Sequence, residues 1–199
     1  MEEKIKWAAN VLLVDVALLN ETVNSLRRML QERLGHSIPS LDLPAWLSYL
    51  ALDAGLKEGD NEVQVVLIHD GQVRALEGCE PADLRSLQGM ACRTPLGEFA
   101  FHCVTPEGIV SVEELFLDLA TLALDSAGVQ CLALLPAPMR YDDKLKEVLQ
   151  KFMEEKGAEE GNRIIWFGLA PVRDGATLCR HDSVFYSLAQ AWGIRSDQL

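Results

Sequence analysis

The sequence predicts an α/β fold: a mostly parallel sheet with helices on both faces, in a Rossmann-like three-layer arrangement, formed by residues 1–199 as one domain. Three observations predict it. Apolar-rich runs of four to seven residues recur at 11–14, 63–68, 129–135 and 163–167, as expected of strands buried on both faces. Between them lie segments with apolar residues three and four apart, the spacing of an amphipathic helix. Strands that alternate with helices favour crossover connections and hence parallel pairing.

The run Val11-Leu12-Leu13-Val14 ends at Asp15 and is the first strand. Leu19, Val23, Leu26, Leu30 and Leu34 follow at helical spacing, with Gly35 placed to close that helix. A short helix opens around Pro44, which a first turn tolerates, with Asp42 or Ser40 as cap and Trp46, Leu47, Leu50 and Leu52 as apolar positions before Gly55. Residues 63–68 are rich in β-branched side chains and run into the turn His69-Asp70-Gly71. From 71 to 106 glycine and proline interrupt any period, and the segment reads as an irregular insertion, an inserted hairpin or excursion, holding one strand at 98–104.

Ser111 and Glu114 have the spacing of a capping box and open a helix through Leu115, Phe116, Leu119, Leu122 and Ala123. With Leu117 and Leu124 on another face, this helix is expected to be buried nearly all round. The strand at 129–135 stops at Pro136 and Pro138. Leu145, Val148, Leu149 and Phe152 then mark an amphipathic helix, 163–168 a further strand, and Val184, Phe185, Leu188 and Trp192 a last helix that begins near Asp182.

Composition narrows the function. With 49% apolar and 24% charged residues the chain has the balance of a folded domain and not of a disordered one. Its net charge of −12 disfavours non-specific attraction to nucleic acid or anionic membrane, so a polyanion would need a local basic patch. Met1-Glu2-Glu3-Lys4 is acidic where a signal peptide is basic, and the apolar run through Leu19 is too short and too interrupted to span a bilayer. A cytoplasmic protein without a membrane partner is the expectation. Cys79, Cys92, Cys103, Cys131 and Cys179 are odd in number and include no C-x-x-C, which fits free thiols in a reducing compartment. Cys103 and Cys131 lie inside apolar runs and are expected to be buried. Cys179-Arg180-His181 reads as ordinary loop sequence.

In open parallel sheets ligands bind beyond the carboxyl ends of the strands, so acids just after strands are the first candidates for chemistry. Asp15, Asp70, Asp142 and Asp143 qualify, and Glu113 and Glu114 approach the same edge from the start of a helix. Such a cluster suits Mg²⁺ or Mn²⁺, which could activate water against a phosphodiester. Most of these acids also have an ordinary explanation: Glu114 in the capping box, Asp142 and Asp143 in a helix first turn, Asp70 in a turn. Asp15 is different, because an unpaired charge among Val14, Val16 and Leu18 would be costly. No G-x-S-x-G, Walker loop or G-x-G-x-x-G is present, so serine hydrolases, NTPases and dinucleotide enzymes lack their marks.

In layout the chain resembles the PIN-like superfamily, and especially its NYN branch of metal-dependent ribonucleases. The resemblance rests on Leu12-Leu13-Val14-Asp15 with Asn20, on the acids of the helix that follows Ser111, and on the strand 132–135 followed by Tyr141-Asp142-Asp143. It implies a PIN/NYN-like fold in which Asp15, Glu113, Glu114, Asp142 and Asp143 are catalytic, Asp15 and Asp142 hold Mg²⁺ or Mn²⁺, and Asn20, Arg140 and Lys144 bind an RNA substrate. Three departures stand beside it. Asn20 is five residues after Asp15 where the family has three, the helix acids are glutamates, and the acidic motif expected after the later strand reads Leu135-Pro136-Ala137-Pro138-Met139-Arg140. The sequence thus leaves two functions open: a metal-dependent ribonuclease or nuclease-derived RNA-processing protein, or a non-catalytic protein-interaction module that retains the fold without the active site.

Overall fold

The four apolar runs become adjacent strands at the centre of one sheet. In the computed structural model, which describes residues 6–137, 141–169 and 178–198, the elements run in this order: β1 (Asn10–Asp15), α1 (Val16–Leu34), β2 (Leu41–Asp42), α2 (Leu43–Asp53), β3 (Asn61–Ile68), β4 (Cys79–Glu80), α3 (Leu84–Leu87), β5 (Ala91–Thr94), β6 (Gly97–Val104), α4 (Val112–Leu124), β7 (Cys131–Leu135), α5 (Asp142–Lys156), β8 (Ile164–Gly168), β9 (Arg180–Ser183) and α6 (Val184–Ala191). Short 3-10 turns occupy Ala158–Arg163 and Ser196–Gln198.

The seven-stranded sheet has the order β5-β6-β3-β1-β7-β8-β9, and every pairing is parallel except β5 with β6. Taken in chain order, its six parallel strands lie 3-2-1-4-5-6, the doubly wound arrangement. From β1 the chain moves outward to β3 and β6, then returns past β1 to β7. The carboxyl ends of β1 and β7 therefore flank the topological switch point. Right-handed crossovers place α1 and α2 on one face and α4 and α5 on the other. The packing agrees, since α4 touches α5 and α2 touches α6. Val11, Leu12, Leu13 and Val14 are all at most 1% exposed, as a central parallel strand requires.

Local chemistry sets the helix ends. Asp15 caps α1, and Gly35 (φ +72°) closes it by donating its N–H to the Gln31 carbonyl at 2.9 Å. Of the two candidate caps for α2, Asp42 serves, accepting the Ala45 N–H at 2.9 Å. The capping box at Ser111 is formed in both directions.

Residues 71–106 hold the expected strand and a hairpin, β5 with β6, within the connection from β3 to β6, together with β4, which pairs with β2, and α3, which Asp83 caps. Three expectations need correction. Helix α4 is not buried all round, because it packs on one face of the sheet and on α5 and leaves Leu122 49% exposed. Arg180 and His181 lie in the edge strand β9, not in a loop. His181 stacks on Trp166 at 5.3 Å, and Arg180 donates to the carbonyls of Ala54 at 2.9 Å and Asp53 at 3.0 Å. Cys103 and Cys131 are half-buried near strand ends, whereas Cys79 and Cys179 are the buried thiols. Burial pushes Cys79 up to about 12 and Cys179 up to about 11. Among the described residues no helix is long and apolar enough to cross a membrane.

Candidate functional site

Asp15 is the last residue of the central strand and lies at the switch point, where a doubly wound sheet binds its ligands. It is 1% exposed. Both carboxylate oxygens are engaged: Oδ1 accepts the Leu18 N–H at 3.1 Å, and Oδ2 accepts the hydroxyl of Tyr141. The first bond caps α1. The second ties the β1–α1 junction to the entry of α5, on the far side of β7. Tyr141 is itself 1% exposed, and its ring lies 5.1 Å from that of Phe116 on α4. A buried carboxylate, a phenol and a phenyl ring thus join β1, α4 and α5. Sequence reasoning named Tyr141 in passing and gave it no role; an aromatic hydroxyl shortly after β7, facing a strand that ends in a buried aspartate, was the signal for it.

The other candidates are dispersed among local partners. Asn20, in the second turn of α1, donates through Nδ2 to the Ala75 carbonyl at 3.1 Å and accepts the Glu77 N–H through Oδ1 at 2.7 Å, so its amide clamps the connection between β3 and β4. Glu114 completes the capping box, where Oε2 accepts the Ser111 N–H at 2.8 Å and its own N–H donates to Ser111 Oγ at 3.1 Å. Hydrogen bonding from Ser111, its backbone N–H first and its side chain second, holds the Glu114 carboxyl below the usual range. Glu113 pairs with Lys144 Nζ at 2.7 Å, joining the first turns of α4 and α5, and this hydrogen bond raises the lysine ammonium above its ordinary value. Asp142 and Asp143 occupy the first turn of α5, half-buried and exposed respectively, where the helix dipole favours negative charge. Arg140 lies outside the described residues. Asp70 organises the turn after β3, accepting the Gln72 N–H at 2.8 Å and the Val73 N–H at 3.0 Å.

A hard divalent ion needs several carboxylate oxygens converging at about 2.1 Å for Mg²⁺. Among the described residues no group of three or more His, Cys, Asp or Glu side chains is placed to hold a metal ion. With Asp15 occupied twice, Glu114 in a cap and Glu113 on a lysine, the described residues do not fit Mg²⁺ or Mn²⁺. What the edge does offer is surface: between β6 and α4, Ile109 is 84% and Val110 37% exposed, just before the first turn of α4 with Glu113 and Glu114.

No curated protein and no solved structure matches the chain. A family model does match, over residues 4–199, so the chain belongs to the DUF6621 family, a family of unknown function.

Proposed function

We infer that the protein is a non-catalytic interaction module, built on a fold that resembles the PIN/NYN type and lacking its active site. The carrying observation is the state of Asp15: the acid at the position where the family resemblance expects a metal ligand is buried and bonded through both oxygens to a helix cap and to Tyr141. A carboxylate so used contributes to structure, and among the described residues it joins no group of three or more His, Cys, Asp or Glu side chains that could hold a cation. The same carboxyl edge supports binding to another protein. Ile109 and Val110 present exposed apolar side chains with Glu107 close by in the same loop, which suits a partner segment with an apolar side chain next to a lysine or arginine.

The alternative, cleavage of RNA, draws its support from the location of Asp15 at the switch point. A single-stranded RNA labelled at its 5′ end separates the two. At about 150 mM salt with about 5 mM Mn²⁺, the interaction reading expects no cleavage and no binding below roughly 100 µM, at or beyond the weak end of non-specific nucleic-acid affinity. Cleavage that disappears in Asp15→Asn overturns it.

A further inference from the structure

Cys179 and His181 flank Arg180 at the edge of the sheet. Arg180 reaches from one face of β9 to the end of α2, so the residues on either side of it project from the other face. There they meet: Cys179 Sγ lies 3.8 Å from His181 Nε2. Trp166 holds both in place. Its backbone hydrogen-bonds the sulfur, and its indole stacks on the imidazole at 5.3 Å and 30°. Cys179 is 5% exposed and His181 is half-buried, so solvent reaches the pair from the imidazole side. Burial, with the ammonium of Lys146 second, holds the imidazole below its ordinary value, which leaves it neutral near pH 7 with a lone pair to offer. Nothing at the carboxyl edge uses these two side chains.

We propose that Cys179 and His181 form a binding site for a soft monovalent metal ion, copper(I), held between Sγ and Nε2. Binding is an exchange: the ion bonds to the thiolate sulfur and to the Nε2 lone pair, and the thiol proton leaves to solvent. Spacing supports it. An ion about 2.3 Å from sulfur and about 2.0–2.1 Å from nitrogen sees donors 3.8 Å apart at roughly 120°, the angle of three-fold coordination. The donor set selects the ion. Thiolate and imidazole are poor ligands for Mg²⁺ and Ca²⁺, which take oxygen. Zinc is held by three or four protein donors, and among the described residues no third His, Cys, Asp or Glu joins this pair. Copper(I) is satisfied at low coordination number, by these two donors and at most one more from solution. Charge decides the same way. A monovalent ion that replaces a proton leaves the pair neutral, whereas a divalent one adds a positive charge at a part-buried position near Lys146. This inference stands apart from the reading of the carboxyl edge and holds whether or not that edge binds a protein.

Competition for copper(I) against the chromogenic chelator bicinchoninate tests it, on the full chain, without oxygen, with ascorbate as reductant and at a fixed pH of about 7 because metal affinity depends on pH. The parent should withdraw copper(I) from the chelator, and an equal concentration of Zn²⁺ should not displace it. Cys179→Ser should lose this binding. His181→Asn, at a half-buried position, should weaken it by about 10-fold or more, since even a residue behind a metal ligand is worth about 10–100-fold in affinity. Cys92→Ser removes a half-buried thiol elsewhere in the sheet and should leave the binding unchanged. X-ray absorption at the copper edge of the loaded parent should show both sulfur and imidazole nitrogen bound to the metal. If Cys179→Ser does not fold, His181→Asn and the absorption spectrum carry the test. A parent that withdraws no copper(I), or a folded Cys179→Ser or His181→Asn that holds it as tightly as the parent, overturns the proposal.

Discussion

Replacing Asp15 with alanine is expected to destabilise the protein by about 2–4 kcal/mol. Loss of a helix N-cap accounts for about 1 kcal/mol, and removing the acceptor of a buried tyrosine hydroxyl for roughly 1–3 more. For a chain of this length that is a fall in melting temperature of about 5–15 °C. Asp15→Asn should lose no more than about 1 kcal/mol, because the amide oxygen still caps Leu18 and the amide nitrogen can donate to the Tyr141 oxygen. Tyr141→Phe keeps the contact with Phe116 and should fall between the two. The pattern is the reverse of that for an acid held in a site at the expense of stability, where neutralising the charge stabilises the fold. A melting temperature raised by either substitution at Asp15 would therefore count against a structural role. A chemical denaturation series at neutral pH reads all three variants.

Gly97→Ala should cost more, about 3 kcal/mol or above. Gly97 begins β6 at φ +136° and pairs with Asn61 of β3 on one side and Thr94 of β5 on the other. A β-carbon there would sit 2.1 Å from the Asn61 carbonyl oxygen and 2.7 Å from its nitrogen. Both are backbone atoms in a ladder, so relief requires β3 and β6 to part at their amino ends. The strained backbone angle adds about 1–3 kcal/mol to that displacement. Gly71→Ala is the control. Nothing lies within 4 Å of its added carbon, and the change should stay within about 0.5 kcal/mol of the parent. Equal losses at the two glycines in a urea titration would contradict the close approach at Gly97.

Much of the sheet was legible because its central strands are made of residues that have nowhere else to go. Val11 to Val14 and Leu132 to Leu135 carry no polar side chain, so only a position covered on both faces satisfies them. Caps were legible for a similar reason: Asp42, Ser111 with Glu114, and Gly35 act within a few residues of their own position. The edge strands were not. β9 reads Arg180-His181-Asp182-Ser183 and has no apolar residue; it is a strand because β8 offers it a hydrogen-bonding edge. β5 is equally short and half exposed, and forms through its hairpin with β6.

The site divides along the same line. That Asp15 would be buried with its charge answered follows from the apolar residues on either side of it. The identity of its partner does not, since Tyr141 is 126 positions away and reaches it only through the parallel pairing of β1 with β7. For Glu113 and Glu114, spacing alone cannot separate a metal ligand from a helix-terminal acid, because both uses place carboxylates in a first turn. Three-dimensional partners separate them: a lysine for one and a serine N–H for the other.

The most direct measurement of whether the carboxyl edge is structural is a thermal melt of the parent and of Asp15→Asn, each with and without Mn²⁺ at about 5 mM. If Asp15 is a buried cap and hydroxyl acceptor, neither protein should shift by more than about 1 °C on adding the ion. A bound cation at a hundred times its dissociation constant would add about 2.7 kcal/mol, or roughly 5–10 °C for a chain of this size. A Mn²⁺-dependent rise of that magnitude in the parent, absent from Asp15→Asn, would contradict the account.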